Sequence, residues 1–315
     1  MSKGLASYHG ADPTGQVDAS DKLRFALCEY GGKTEIEAGV YRVNNPIHLH
    51  SRYGQRSPWL AGEGQNASIL LLTNPRAPAF IVGDESPYNV VRWPKFSGLQ
   101  IVYETPPNID VPMFMLQGLN GAIFDDIWAR EYRTLMQIGR NADGLSGSCQ
   151  DIHITNLKGD PALGNTVSNH VMRVENVNGL WIDRSSISGD LNQIIMHFTS
   201  SGSTTIDTVV VSDTLLKDGL TGIRAGEGTV SNAIFRTTIF DKLQSVAVQL
   251  ETAPGCDLAN WQFDGCWYHS LNYGILIDQR AGGAIRRVSL TGGTMDSAAI
   301  PVTILGGAQV TRTGI

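Results

Sequence analysis

From residue 96 onward, short apolar strands alternate with polar corners at a nearly constant spacing. One set of triplets reads Leu99-Gln100-Ile101, Ile127-Trp128-Ala129, Ile152-His153-Ile154, Leu180-Trp181-Ile182, Val209-Val210-Val211, Ile234-Phe235-Arg236, Trp261-Gln262-Phe263 and Val288-Ser289-Leu290. Their intervals are 28, 25, 28, 29, 25, 27 and 27 residues. A second set lies between them, at 113–116, 135–138, 171–174, 194–196, 222–224, 246–250, 274–277 and 301–304. Two strands per repeat, with Gly, Asn and Asp between, predict a solenoid over residues 96–310. One unit cannot bury its own apolar face; stacking buries it and pairs each strand edge with the next coil. Leu99, Ile127, Ile152, Leu180, Val209, Ile234 and Val288 are expected to share one interior column.

The first 95 residues read differently. Asp18-Ala-Ser-Asp21 opens a helix, with Asp18 or Ser20 as N-cap. Leu23, Ala26, Leu27 and Tyr30 form its apolar stripe, and Gly31-Gly32 ends it. Strands follow at 40–43 and 67–72. Laid across the first coil, this helix would cap an otherwise open solenoid end. Residues 1–95 are therefore read as the cap helix and first irregular coils. They are continuous with the regular coils of 96–315 as one domain.

The stretch Tyr8-His-Gly10-Ala11-Asp12-Pro13-Thr14-Gly15, then Asp18, the helix and Gly39-Val-Tyr41, resembles the start of the pectate-lyase-3-like right-handed β-helix family. The resemblance covers about residues 8–43. It implies an all-β fold: a single-stranded right-handed parallel β-helix with an N-terminal capping helix. It constrains chemistry less, because the family holds phage tailspikes and depolymerases, virion decorations, and secreted polysaccharide lyases and hydrolases. Asp12-Pro-Thr-Gly itself reads as a tight turn feeding the cap, with no catalytic role.

Composition narrows the partners. The net charge of −6 speaks against a nucleic-acid surface. No apolar run reaches membrane-spanning length, so no membrane insertion is expected. No signal-like apolar segment precedes the family pattern, which begins close to Met1 and favours a virion or extracellular assembly part. Cys256 and Cys266 share a coil, either paired or as buried thiols; Cys28 and Cys149 have no zinc-like spacing to them. His48-Leu-His50 reads as surface decoration. No nucleotide, metal or flavin motif is present, so neither metal nor cofactor is expected.

Strand alternation points Gln100, Trp128, His153, Trp181, Val210, Phe235, Gln262 and Ser289 outward. Trp128, His153 and Trp181 would then form one external stack. It is expected to serve as a carbohydrate platform, as packing on a trimer axis, or as a face buried under a local loop. Asp183 and Asp213, outward on neighbouring coils, are the first candidates for an acid and its partner in glycoside cleavage. Glu131, Asp151 and Glu175 are further candidates nearby. Arg130, Arg173, Arg184, Arg224 and Arg236 read as scattered, which disfavours a lyase neutralising uronate carboxylates. The leading expectation is a trimeric, tailspike-like or capsid-decorating phage β-helix that contacts host surface polysaccharide and other virion proteins. The alternative is a polysaccharide hydrolase or lyase.

Overall fold

The computed structural model describes residues 4–30, 32–50, 57–83, 90–139, 148–164, 167–200, 204–296 and 300–314. The chain is an all-β parallel β-solenoid of about 9 turns with one N-terminal helix. Its contacts fall into two units, Met1–Leu163 and Gly164–Ile315.

In the first unit the cap is organised by Asp12. Its carboxylate accepts the backbone N–H groups of Thr14, Gln16 and Val17 and the Thr14 hydroxyl. The Pro13 carbonyl accepts the Val40 N–H at 2.9 Å, so the turn is bonded directly to strand Gly39–Val43. At Gly39 a β-carbon would stand 2.6 Å from that same carbonyl. Only glycine fits there, which gives the glycine of the motif its reason. The α-helix is Ser20–Phe25, continued by a wider π turn, Ala26–Tyr30. Its N-cap is Ala19, which has no capping side chain, rather than Asp18 or Ser20. Asp18 instead accepts the Ser20 N–H, and the Ser20 hydroxyl accepts the N–H groups of Asn44 and Asn45. Leu23, Ala26 and Leu27 are buried against the coil that holds Ile47–Leu49. Gly31 and the Tyr30 side chain lie outside the described residues.

The long strands of this unit are Lys95–Tyr103, Leu119–Tyr132 and Cys149–Pro161. They pair in parallel, with Leu99 beside Ile127 and Ile127 beside Leu157. Each carries a left-handed residue near its middle, Gly98 at φ 64°, Asp126 at 56° and Asn156 at 51°, and the two longer strands hold others, Gly121, Glu131 and Asp151. That extra residue reverses the alternation, so Phe96 and Leu99 both face inward although they are three apart. Ile152 therefore does not join the column of Ile127. It lies beside Ala122, in the half-strand before the bulge, and Leu157 takes the expected place. A second sheet of Phe80–Val82, Pro112–Leu116 and Thr134–Ile138 closes the core. Phe80 stacks on Phe114 at 5.4 Å and Phe96 on Phe124 at 5.2 Å.

The second unit repeats the pattern with Val177–Asp183, Thr205–Ser212, Thr229–Arg236, Asp257–Asp264 and Ala284–Thr291. Its inner column runs Leu180, Val209, Ala233, Trp261, Val288. Ile234 is thus beside Val210 on the outer side, and Phe235, expected outside, is fully buried and stacks on Phe263 at 5.1 Å. The inward residue of this turn is the small Ala233. Outside, Asn260 donates to Asn232 at 2.7 Å and Asn232 to Asp207 at 2.6 Å, a side-chain ladder along the stack.

Each turn then bends at a second left-handed residue: Arg184, Asp213, Thr237, Gly265 and Gly292, with φ between 44° and 60°. The residues after the first four, Ser185, Thr214, Thr238 and Cys266, are buried. Each donates its hydroxyl or thiol to the carbonyl two residues back. Cys266 is therefore a corner residue, and all four cysteines are free, buried thiols; Cys256 and Cys266 are not paired. The second sheet of this unit comprises His170–Val174, Ile194–Thr199, Thr221–Glu227, Val246–Glu251, Tyr273–Asp278 and Ile300–Leu305.

Candidate functional site

The residues singled out in the sequence lie mainly on the first sheet. In the first unit, Trp128 is half-buried and faces out. Its neighbour on the next turn is Lys158, because His153 lies beside Ile123. The expected stack of Trp128 on His153 is therefore not formed. The Lys158 ammonium sits 4.0 Å from the centre of the Trp128 ring and the Arg130 guanidinium 4.8 Å from it. The indole N–H donates to Asp160 at 2.7 Å, and Lys158 pairs with the same carboxylate at 3.4 Å. A sugar stacking on Trp128 would have to displace a cation. Trp59 repeats the arrangement, with Lys33 at 4.7 Å and Lys95 at 4.5 Å.

In the second unit, Trp181 is half-buried beside Val210. Asp183 ends its strand; it accepts the Ser212 hydroxyl at 2.9 Å and pairs with Arg184 at 2.7 Å. Asp213 occupies a left-handed corner, exposed, and accepts the Thr237 hydroxyl. Aspartate tolerates that backbone region better than most residues, which accounts for it at this corner. Glu131 and Asp151 also have left-handed backbones, within the strands Leu119–Tyr132 and Cys149–Pro161, and Glu175 pairs with Arg173. His48 bonds the Gly83 carbonyl through Nε2 at 3.0 Å. Among the described residues, no three His, Cys, Asp or Glu side chains converge as metal ligands, and no helix is long and apolar enough to cross a membrane.

The outer face of the second sheet holds what the sequence reading missed. Arg173 lies beside His197, His197 beside Arg224, and Arg224 beside Gln249. Arg173 and Arg224 are thus not scattered; they belong to one polar column. The signal was present in Val171-Met172-Arg173-Val174, Ile195-Met196-His197-Phe198, Gly222-Ile223-Arg224-Ala225 and Ala247-Val248-Gln249-Leu250. Each is a strand whose third residue is polar between apolar neighbours.

Beside this column is a cavity of about 130 Å³, lined by His197, Arg224, Glu227, Glu251, Thr252 and Arg280 among others. Gly226 allows neighbouring turns to approach, since a β-carbon there would lie 2.1 Å from the Glu251 carbonyl oxygen. Glu251 is fixed by Arg280 and accepts the Gln249 amide at 2.6 Å; Arg280 also pairs with Asp278 at 3.1 Å. Burial, followed by the charges of His170, Arg224 and Arg173, pushes the His197 pKa down to about 3. At neutral pH its imidazole is uncharged and offers one N–H donor and one acceptor. The cavity therefore presents a guanidinium, a neutral imidazole and carboxylates in a small polar recess.

No family model matches the sequence, and no curated protein matches it. Solved structures do. A protein of Geobacillus virus E2, ORF18, is 14% identical with a TM-score of 0.65, covering 98% of this chain and 59% of its own. A tailspike protein of E. coli bacteriophage HK620, solved as a double mutant, is 13% identical with a TM-score of 0.66, covering 99% and 65%. The tailspike protein of Acinetobacter baumannii phage AM24 is 11% identical with a TM-score of 0.58, covering 99% and 53%. At these identities the likeness is one of fold. This chain spans between about half and two thirds of the length of those proteins.

Proposed function

We propose that this chain is the β-helix of a phage or phage-like virion protein that contacts host surface polysaccharide. The observation that carries this reading is the likeness of fold to phage proteins, two of them tailspikes, along 98–99% of this chain. The cap motif at residues 8–43 adds the pectate-lyase-3-like family as the finer assignment. A homotrimer and attachment to other virion proteins belong to the same reading. Carbohydrate contact by Trp181 and His153 remains part of it, and Trp128 contributes together with the Lys158 and Arg130 cations over its ring.

A second reading, a polysaccharide-cleaving enzyme, is favoured by the carboxylates Glu227 and Glu251 in the cavity. The sequence-derived pair Asp183 and Asp213 is its other candidate set. The test is to immobilise bacterial capsule and O-antigen preparations, measure binding of the purified chain, and assay new reducing ends. Saturable binding to at least one preparation is expected, and binding to none would overturn the reading. If reducing ends form, Asp183→Asn, Asp213→Asn, Glu227→Gln and Glu251→Gln identify the pair, because losing a general acid or base lowers the rate by about 10²-fold or more.

A further inference from the structure

We infer that the recess between His197, Arg224 and Glu227 is a subsite for a carboxylated sugar residue. This deepens the polysaccharide reading and rests on it.

The argument begins with pairing. Arg280 is committed to Glu251 and Asp278, and Arg173 to Glu175. Among the described residues Arg224 has no carboxylate partner, although it lines a cavity that contains two. A guanidinium fork with no carboxylate in ion-pair reach among the described residues, set in a recess, is suited to bidentate recognition of a carboxylate. The surroundings of His197 add a second observation. Burial leads in keeping its imidazole uncharged, and His170, Arg224 and Arg173 add to this. The neutral imidazole can donate one hydrogen bond to an anion held by Arg224.

Glu227 decides which kind of anion. It also lacks an ion-pair partner among the described residues and lines the same cavity. A carboxylate repels a plain inorganic anion but accepts hydrogen bonds from sugar hydroxyls. A ligand that satisfies both ends carries a carboxylate for Arg224 and hydroxyl donors for Glu227, as an acidic sugar does. The volume of about 130 Å³ is well under the ~300–1,000 Å³ of pockets that engulf a ligand. It suits one charged unit of a chain lying along the surface. The overall charge of −6 does not oppose this, since the recess has its own local field.

The experiment follows the His197 imidazole by nuclear magnetic resonance while glucuronate, galacturonate, N-acetylneuraminate, glucose, galactose and inorganic phosphate are added separately. Each is taken to about 50 mM, enough to saturate a millimolar site. At least one sugar acid is expected to shift the His197 signal saturably, with the neutral sugars inert and phosphate weaker. Arg224→Gln should weaken that binding about tenfold or more, and Arg224→Lys should weaken it less, because the charge remains and the fork is lost. Unchanged melting temperatures certify that both variants are folded, and Arg236→Gln, exposed at the end of the first-sheet strand Thr229–Arg236, serves as the control. No shift with any sugar acid, an equal response to phosphate, or binding indifferent to Arg224→Gln overturns the inference. If polysaccharide still binds in those cases, only this subsite is lost. If no polysaccharide binds at all, the reading it rests on fails separately.

Discussion

His197 stays uncharged at neutral pH although its ordinary pKa is 6.5. In the unfolded chain the imidazole takes a proton below about that value; in the folded protein it does so only near pH 3. Between the two the unfolded state holds the extra proton, so stability falls as the pH drops, by at most about 1.4 kcal/mol per pH unit. Carboxylates contribute lower down. Hydrogen bonds led by the Thr14 N–H lower the pKa of Asp12. Burial raises Asp18 and Glu37, but their hydrogen bonds outweigh it and bring both below their ordinary values of 3.8 and 4.5. Their stabilisation is present above those values and is lost only as the pH falls further. Between pH 6.5 and about 5.5 these carboxylates are ionised in both states and their contribution is constant. Replacing His197 with Gln should flatten the dependence of the denaturation midpoint on pH there. An identical slope in the variant would mean that the folded imidazole titrates normally.

At the scale of elements, the solenoid is held by repeated special positions as much as by apolar columns. Left-handed residues at mid-strand and at the corner recur turn after turn, and small buried hydroxyls or thiols satisfy the corner carbonyls. The cap depends on close approach, with Gly39 against Pro13. Gly39→Ala should destabilise the protein by about 1–3 kcal/mol, the usual cost of overpacking. Amide exchange at residues 14–18 and 40–43 should accelerate more than exchange in the coils. Equal acceleration throughout would show that the turn is not a local clamp. These special positions also explain the two errors of register. The bulge adds a residue of no fixed side, so a constant repeat places Ile152 in the wrong half-strand. Ala233 is too small to stand out, so hydropathy points to its larger neighbour Ile234.

For the whole molecule the outstanding question is assembly. In the second unit, Leu191, Leu220, Leu271 and Ile300 are exposed to between 37% and 57% at the start of four of the second-sheet strands, the strand Val246–Glu251 between Leu220 and Leu271 having none. Such side chains at an edge of a coil stack support the homotrimer reading. Light scattering at micromolar concentration should give about three times the chain mass of 34.1 kDa. A stable species at the single-chain mass would refute it. Leu220→Glu with Leu271→Glu should convert the trimer to monomers if this edge is the contact, and leave the mass unchanged if it is not.

What the sequence determines by itself is the architecture: parallel coils, two strand sets and a helical cap. Strand periodicity is local, and every apolar triplet must be buried by a neighbour of the same kind. It also determines the turn chemistry of Asp12 to Gly15, because the hydrogen bonds of that carboxylate reach only to residues 14–17. Only the tertiary structure decides which residues become neighbours across turns. Stacking joins residues 22 to 36 apart, such as Arg173 with His197 and Trp128 with Lys158, so one misplaced bulge re-pairs every side chain beyond it. The basic column at Arg173, His197 and Arg224, and the cations covering Trp128, exist only at that level. Their charges are spread along the chain and brought within reach by the 4.7–4.9 Å spacing of paired strands.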